Sequence, residues 1–304
     1  MIFSLSTPDH IAPEKVTHPL LEEKQVRMEV LRLDRIHPLV SGNKWFKLRY
    51  YAEKARHTSQ KMIVTFGGAW SNHILATAAF CHENGLRAIG LIRGERPTTL
   101  SLTLQDALEL GMELQFLSRE TYRIKQLPPD IDLLIQQNGA VLVPEGGFGI
   151  EGMQGAATIP GLQSSPPFED IFCAVGTGTT MAGLIHTADE ASTINGIVVL
   201  KGYVSMERDI LSLLPGHTDL GRHILHHDAH HGGYAHWDDE LIRFMNDWYQ
   251  STGIPTDIIY TGKLFYAVMK RVKENHFPPG RKILVVHSGG LQGNRSLKKG
   301  TLIF

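Results

Sequence analysis

Short apolar runs without regular polar alternation recur along the chain, and most of them end at a glycine. Runs of this kind that are rich in valine and isoleucine are typical of parallel strands buried on both faces of a sheet. The predicted strands cover residues 62–68, 88–94, 114–117, 140–147, 171–178, 196–202 and 283–290.

Stretches with helical character lie between these runs. Two of them stop at Gly85 and Gly111, and glycine commonly caps the end of a helix. The predicted helices cover residues 44–56, 72–84, 101–110, 179–190 and 237–249. Strands that alternate with helices predict an α/β fold with doubly wound layers, whose ligands bind at the carboxyl ends of the strands.

Two changes in composition suggest domain boundaries. Residues 161–167 read Gly-Leu-Gln-Ser-Ser-Pro-Pro and separate the first four predicted strands from the next group. Residues 41–43 read Ser-Gly-Asn and interrupt the chain before the first predicted helix. We therefore expect a small α/β domain, residues 47–155, inserted in a larger domain made of residues 1–46 and 156–304.

Composition excludes several kinds of partner. Of 304 residues 42% are hydrophobic, and 30 basic residues balance 31 acidic ones, so nothing predicts binding to nucleic acid or to a membrane. Residues 1–10 lack the pattern of a signal peptide, and no apolar run is long enough to cross a bilayer. The only two cysteines, Cys81 and Cys173, lie in apolar stretches and are expected to be buried and reduced, which suits a cytoplasmic protein.

A loop rich in glycine and threonine follows the predicted strand at 171–175. This arrangement of strand, small residues and helix offers free backbone N–H groups to a phosphate, although a tight turn without a ligand would look the same. The ATP-binding pattern is not met, and the dinucleotide pattern fails because its third glycine would fall on Met181. A smaller phosphorylated cofactor fits better. The loop consists of Gly176, Thr177, Gly178, Thr179 and Thr180.

Two further segments carry candidate chemistry. Lys44 stands at the start of a helix beside aromatic residues, where desolvation would make its amine nucleophilic, but a plain solvated lysine is the alternative. Ser71 and Asn72 follow a strand and open a helix, so each is either an N-cap or a group that meets a substrate carboxylate. The G-x-S-x-G pattern is absent, which disfavours a serine hydrolase.

Taken in order, these segments resemble the fold-type II pyridoxal-5′-phosphate (PLP) family that contains 1-aminocyclopropane-1-carboxylate (ACC) deaminase and D-cysteine desulfhydrase. The resemblance covers about residues 25–295. It rests on Gly-Asn-Lys-Trp-Phe-Lys-Leu at 42–48, Ser-Asn-His at 71–73, Pro-Glu-Gly-Gly at 144–147, the loop at 176–180, Tyr-Thr-Gly-Lys at 260–263 and His-Ser-Gly-Gly at 287–290.

The resemblance implies a fold like the tryptophan synthase β subunit: two open twisted α/β domains with PLP between them, usually in a homodimer. It implies that PLP forms a Schiff base with Lys44, that Asn72 hydrogen-bonds its phenolic oxygen, and that the loop at 176–180 holds its phosphate. It places Tyr260, and more loosely Tyr234, beside the reacting carbons.

The resemblance also implies where a small amino-acid substrate binds. Ser71 would bind the substrate carboxylate or act at the substrate, and Asn72, His73, Trp70 and Ser288 would also contact the substrate. Trp70 departs from the family, where a small or amide residue is more usual, so its indole is expected to reshape the pocket.

Two positions bear on the reaction. ACC deaminases carry Glu and Leu where this chain has Thr261 and Ser288. A carboxyl group beside the pyridine nitrogen makes a deep electron sink, whereas a hydroxyl does not secure protonation. The sequence therefore favours β-elimination from D-cysteine to pyruvate, ammonia and sulfide, with either Lys44 or Ser71 as the base.

Other functions stay open at this point. They are ACC deamination to 2-oxobutyrate and ammonia, β-replacement with a second nucleophile, and non-catalytic binding of PLP or another phosphate ligand. From the deaminase branch we also expect a classification as hydrolase beside that of lyase. Four histidines in residues 226–231 suggest zinc or nickel, but no regular ligand spacing accompanies them. We expect a solvated loop there and no metal.

Overall fold

The structure, a computed structural model, describes residues 11–162, 165–216 and 221–304. Its ten strands in that part of the chain are β1 (Pro13–Lys15), β2 (Arg27–Arg32), β3 (Met62–Gly67), β4 (Arg87–Arg93), β5 (Met112–Leu117), β6 (Ala140–Val143), β7 (Asp170–Val175), β8 (Thr193–Val198), β9 (His223–His226) and β10 (Lys282–His287). The expectation of no signal peptide concerns residues 1–10, which lie outside the described residues, as do positions 163 and 164 of the segment 161–167.

Helices cover both groups of strands. They are α1 (Pro19–Glu23), α2 (Asn43–Arg56), α3 (Asn72–Glu83), α4 (Leu102–Glu109), α5 (Arg119–Arg123), α6 (Pro129–Gln136), α7 (Ile150–Ala156), α8 (Thr179–Thr187), α9 (Met206–Leu211), α10 (Asp239–Thr252) and α11 (Thr261–Lys273). Among the described residues, no helix is both long enough and apolar enough to cross a membrane.

The strands form two sheets. One has the order β5-β4-β3-β6 and is wholly parallel, and the other has the order β1-β2-β10-β7-β8-β9, in which only β1 runs antiparallel to its neighbour. The α/β fold with parallel sheets is therefore as predicted. The smaller sheet lies inside residues 47–155, and the proposed domain division itself stays a prediction.

Every predicted strand and helix is present, with ends that differ by a few residues. The prediction missed β1, β2 and β9 because none of them is a continuous apolar run, and it also missed the helices α1, α5, α6, α7, α9 and α11. In β9 histidines flank Ile224 and Leu225, and this strand forms the edge of its sheet, where one side needs no strand partner. The prediction that the histidine segment is a loop is therefore wrong for His226, which ends β9.

One apolar cluster joins the two sheets. It contains Ile63 of β3, Val175 of β7 and Phe46 of α2, all with at most 1% of their surface exposed. Both cysteines are free and buried, as expected. Because the core is continuous, the loops that follow the parallel strands of both sheets meet at one cavity.

Candidate active site

A cavity of about 670 Å³ lies at the carboxyl ends of the strands. It is lined by residues at or just after the carboxyl ends of β3, β4 and β6 of the smaller sheet and of β7, β8 and β10 of the larger one. Most of the predicted site residues line it together. They are Lys44, Ser71, Asn72, His73, Gly176, Thr177, Gly178, Thr180, Tyr234, Tyr260 and Ser288.

Gly42 makes the close approach that brings Lys44 into this cavity. Its φ is +70°, and a Cβ there would lie 1.8 Å from the carbonyl oxygen of Ser288, so no side chain fits. The next residue, Asn43, donates from its backbone N–H to the same oxygen at 3.2 Å. Helix α2 therefore starts against the segment that follows β10.

The amine of Lys44 is suited to nucleophilic chemistry. Its Nζ donates to Asn43 Oδ1 at 2.8 Å. Burial lowers the pKa of Lys44 to about 8, against the opposing charge of Asp257. An amine with such a pKa is partly neutral near physiological pH, as a nucleophile or a base requires.

Lys47 is a second lysine at the cavity that the sequence analysis did not assign. Its Nζ donates to the carbonyl oxygen of Gly146 at 3.0 Å. Burial and the nearby charge of Lys44 hold the pKa of Lys47 well below its usual value. The three-residue spacing between Lys44 and Lys47 could have indicated this position, since residues three apart on a helix share a face.

The loop after β7 forms an anion cradle at the start of α8. Gly178 caps the helix with φ +79° and has no side chain to bond the first N–H groups. The hydroxyls of Thr177 and Thr179 lie 3.0 Å apart, and Asn43 Nδ2 donates to Thr180 Oγ1 at 2.8 Å. Thr179 itself is fully buried and does not line the cavity.

The turn before α3 presents polar groups to the cavity. Ser71 is the N-cap, and its Oγ accepts from Ile74 N at 3.4 Å. Asn72 Nδ2 donates to the carbonyl oxygen of Gly290 at 3.1 Å, while its buried Oδ1 has no hydrogen-bond partner. Trp70 does not line the cavity, and 38% of its surface is exposed.

His73 is a neutral imidazole with a free acceptor. The hydroxyl of Thr65 donates to the carbonyl oxygen of Val143 at 2.7 Å, so His73 Nε2 donates to that hydroxyl at 2.8 Å. The other ring nitrogen, Nδ1, is buried without a partner. Burial and the charges of Lys44 and Lys47 hold the pKa of His73 well below its usual value.

Tyr234 and Tyr260 stand edge to face across the cavity, with ring centroids 6.2 Å apart. Burial raises the pKa of both phenols, and Tyr234 raises that of Tyr260 further. Both therefore keep their protons at neutral pH and are suited to donate rather than accept one.

The structure does not bring Thr261 to the cavity. Its hydroxyl donates to Asp257 Oδ1 at 2.7 Å and accepts from Asp257 N at 2.7 Å. The same carboxylate accepts from the backbone N–H groups of Ile259, Tyr260 and Thr261. Thr261 thus fixes the start of α11, and of the two positions compared in the sequence only Ser288 lines the cavity.

The histidine segment has partners within the protein. Arg271 donates to His226 Nδ1 at 2.9 Å, and His226 Nε2 lies 2.9 Å from Asn195 Oδ1. His231 Nδ1 lies 2.9 Å from Asp238 Oδ2. The described residues contain no group of three or more side chains able to hold a metal ion. That the histidine segment at 226–231 binds no metal stays a prediction.

Residues 14–289 match the family model described as pyridoxal-phosphate dependent enzyme. The chain belongs to this family. A protein of Arabidopsis thaliana named bifunctional D-cysteine desulfhydrase/1-aminocyclopropane-1-carboxylate deaminase, mitochondrial, is 29% identical over 84% of this chain and 70% of its own length. A Thermotoga maritima protein, named provisionally as an ACC deaminase, is 26% identical over 92% of this chain and 94% of its own.

Solved structures agree on the fold. The crystal structure of an ACC deaminase homologue superposes with a TM-score of 0.80 at 24% identity and covers 95% of this chain and 91% of its own. This PLP-dependent enzyme is thus a fold-type II member and a lyase or deaminase of amino acids. The expected classification as hydrolase is wrong, because the relatives are named as deaminases and desulfhydrases.

The cavity fits PLP chemically. It offers an amine of lowered pKa at Lys44, the free N–H groups and hydroxyls of the loop at 176–180 for a phosphate, and a buried amide oxygen without a partner at Asn72. Without a ligand, each of the three leaves a buried charge or a polar group without a hydrogen-bond partner, which costs free energy. The roles of these single residues stay predictions.

Proposed function

We propose that this lyase catalyses β-elimination from D-cysteine or a related β-substituted amino acid, releasing pyruvate, ammonia and, from cysteine, sulfide. Bound PLP supplies the electron sink for the carbanion that forms when the α-proton leaves. The protein's own residues bind the substrate, hold the cofactor and move the proton.

The observation that carries the proposal is that both carboxylates lining the cavity in the described part of the chain already have partners, which leaves neither free for a pyridine nitrogen. Glu145 is paired with Lys125, and Asp209 accepts from the Tyr203 hydroxyl at 2.7 Å. Ser288, where ACC deaminases carry Leu, lines the cavity. Such a site supports loss of a good thiol leaving group better than opening of a cyclopropane ring.

Lys44 is the base in this proposal. Its pKa of about 8 lies near the pH at which proton transfer is most efficient. Ser71 already caps α3, and a serine hydroxyl without an adjacent base is a poor proton acceptor. We assign Ser71, with the start of α3, to the substrate carboxylate, and His73 Nδ1 to a donor on the substrate.

The two tyrosines complete the proposed site. Because Tyr260 and Tyr234 retain their protons, one of them can donate to the leaving sulfur. The homodimeric state, the cytoplasmic location and the division at residues 47 and 155 also remain proposals, and one relative is named as mitochondrial.

ACC deamination is the second candidate because the relatives carry that name. The two reactions are separated by measuring kcat/KM with D-cysteine, L-cysteine and ACC, with pyruvate and 2-oxobutyrate distinguished chromatographically. We expect pyruvate and sulfide from cysteine without an added nucleophile, which also excludes β-replacement. If ACC yields 2-oxobutyrate with the higher kcat/KM, the proposal is wrong and the second candidate is right.

A further inference from the structure

Besides Lys47, two basic side chains outside the predicted site line the same cavity, those of Arg93 and Lys125. Arg93 ends β4, so it lies at the carboxyl edge of the smaller sheet, where parallel sheets bind their ligands. Lys125 follows α5 in a left-handed conformation with φ 54°. The proposed elimination uses neither residue.

The charge of Lys125 is balanced and that of Arg93 is not. Lys125 Nζ lies 2.5 Å from Glu145 Oε2 and 3.6 Å from the centre of the Tyr122 ring. Within residues 11–162, 165–216 and 221–304, no group hydrogen-bonds or ion-pairs with the guanidinium of Arg93. Arg93 is exposed to solvent, so water can be exchanged for a ligand at its guanidinium, and this part of the cavity carries a net positive charge.

A buried phenol also lies beside Arg93. Tyr122 is 5% exposed. Burial and the neighbouring Glu145 carboxylate raise the pKa of Tyr122, and the charge of Arg93 opposes this. The phenol therefore stays protonated and keeps a hydrogen-bond donor beside Arg93.

We propose that Arg93, together with Tyr122 and Lys125, forms a subsite for a carboxylate on the β-substituent of the substrate. The inference rests on the proposed elimination and names its substrate class: amino acids whose leaving group carries an acidic group, of which S-carboxymethylcysteine is the simplest thioether. Ser71 and the start of α3 take the α-carboxylate, so the second acid is the group left for Arg93 to bind.

The reaction balances without an oxidant or reductant. The α-proton passes to the base and the Cβ–S bond breaks, with its electron pair leaving on sulfur, which is protonated to thioglycolate. The remaining 2-aminoacrylate takes up water and gives pyruvate and ammonia. The carboxylate held at Arg93 departs with the thiol.

The test compares S-carboxymethylcysteine with its neutral isostere S-carbamoylmethylcysteine, each as both enantiomers, on the holoenzyme. Stopped-flow absorbance gives the Kd of each before turnover, and pyruvate release gives kcat/KM. Arg93→Gln removes the proposed charge, and Arg96→Gln is the matched control, since Arg96 lies 5.5 Å from the Phe116 ring and does not line the cavity.

The wild type should bind the acid about tenfold more tightly than the amide, as one charged hydrogen-bonded contact provides. Arg93→Gln should reduce this ratio to about one, and Arg96→Gln should leave it unchanged. Equal Kd values for acid and amide in the wild type, or an unchanged ratio in Arg93→Gln, would overturn the subsite. A Kd preference that depends on Arg93 without any pyruvate release would support the subsite and reject the elimination.

Discussion

The ammonium group of Lys263 donates to the carbonyl oxygen of Gly233 at 2.6 Å, and the lysine is completely buried. Gly233 precedes Tyr234, so a residue of α11 holds the loop that carries this tyrosine to the cavity. The residue that caps the start of the same helix is Tyr260, against whose ring Tyr234 packs. Lys263 is thus a positioning residue for the tyrosine pair.

Replacing Lys263 with Met should loosen this loop without touching the cofactor. We expect kcat to fall about tenfold, less than the roughly hundredfold or more that complete loss of a general acid costs, because the tyrosine is displaced and not removed. The visible absorbance of bound PLP should stay unchanged. Steady-state kinetics with D-cysteine and an absorbance spectrum check this. Lys263→Arg, which keeps the charged donor, should recover part of the loss; equal activity of wild type and Met variant would remove the positioning role.

The same lysine gives a pH dependence of stability. Burial lowers the pKa of Lys263 from 10.5 to about 8, so between these values the unfolded chain binds more protons than the folded one. Stability therefore rises as pH increases from about 8 to 10.5. Relative to Lys263→Met, the unfolding free energy of the wild type should increase over this range in urea titrations. If the difference in unfolding free energy between the two proteins stays constant over this pH range, the charged form of Lys263 does not destabilise the folded protein.

Asn43 connects the lysine turn to the phosphate loop through its bond to Thr180. In Asn43→Ala this bond is lost and Lys44 Nζ loses its acceptor. We expect PLP to bind about fivefold more weakly, as one buried hydrogen bond of about 1 kcal/mol provides. Titration of apoenzyme with PLP measures this. An unchanged Kd would show that the turn is held by Gly42 and Ser288 alone.

His226 should contribute to loss of stability in acid. Burial and then the charge of Arg271 lower the pKa of His226 from 6.5 to about 4. The unfolded chain therefore binds the extra proton between these values, and stability falls as pH decreases from 6.5 to 4. His226→Gln should flatten this part of the urea-unfolding profile relative to the wild type. Identical profiles would contradict the assignment of a neutral imidazole.

The buried strands could be predicted from the sequence because a short continuous apolar run, bounded by glycine and rich in valine and isoleucine, is typical of a strand covered on both faces. Most cavity residues could be identified as well, since glycine-rich turns after parallel strands converge in space. Thr261 was expected at the cofactor because it occupies the position at which the resembled ACC deaminases carry a Glu beside the pyridine nitrogen. The reason for the difference is Asp257, four residues earlier, which binds that hydroxyl; a side-chain bond of this kind leaves no trace in apolar patterning.

Arg93 and Lys47 are residues that line the cavity and that were not predicted from the sequence. Both are ordinary basic residues in the sequence, and only the meeting of two sheets brings them to one cavity. Lys47 shares a helix face with Lys44, which spacing could have indicated. Nothing in the local sequence distinguishes Arg93 from Arg96, yet one lines the cavity and the other packs on a ring.

The most direct test of the account is to locate the lysine that binds PLP, since Lys44 and Lys47 both line the cavity with lowered pKa values. Holoenzyme is reduced with borohydride, digested, and sequenced by tandem mass spectrometry. We expect the pyridoxyl mass on Lys44, with none on Lys47. A label on Lys47, or on a lysine outside the cavity, would contradict it.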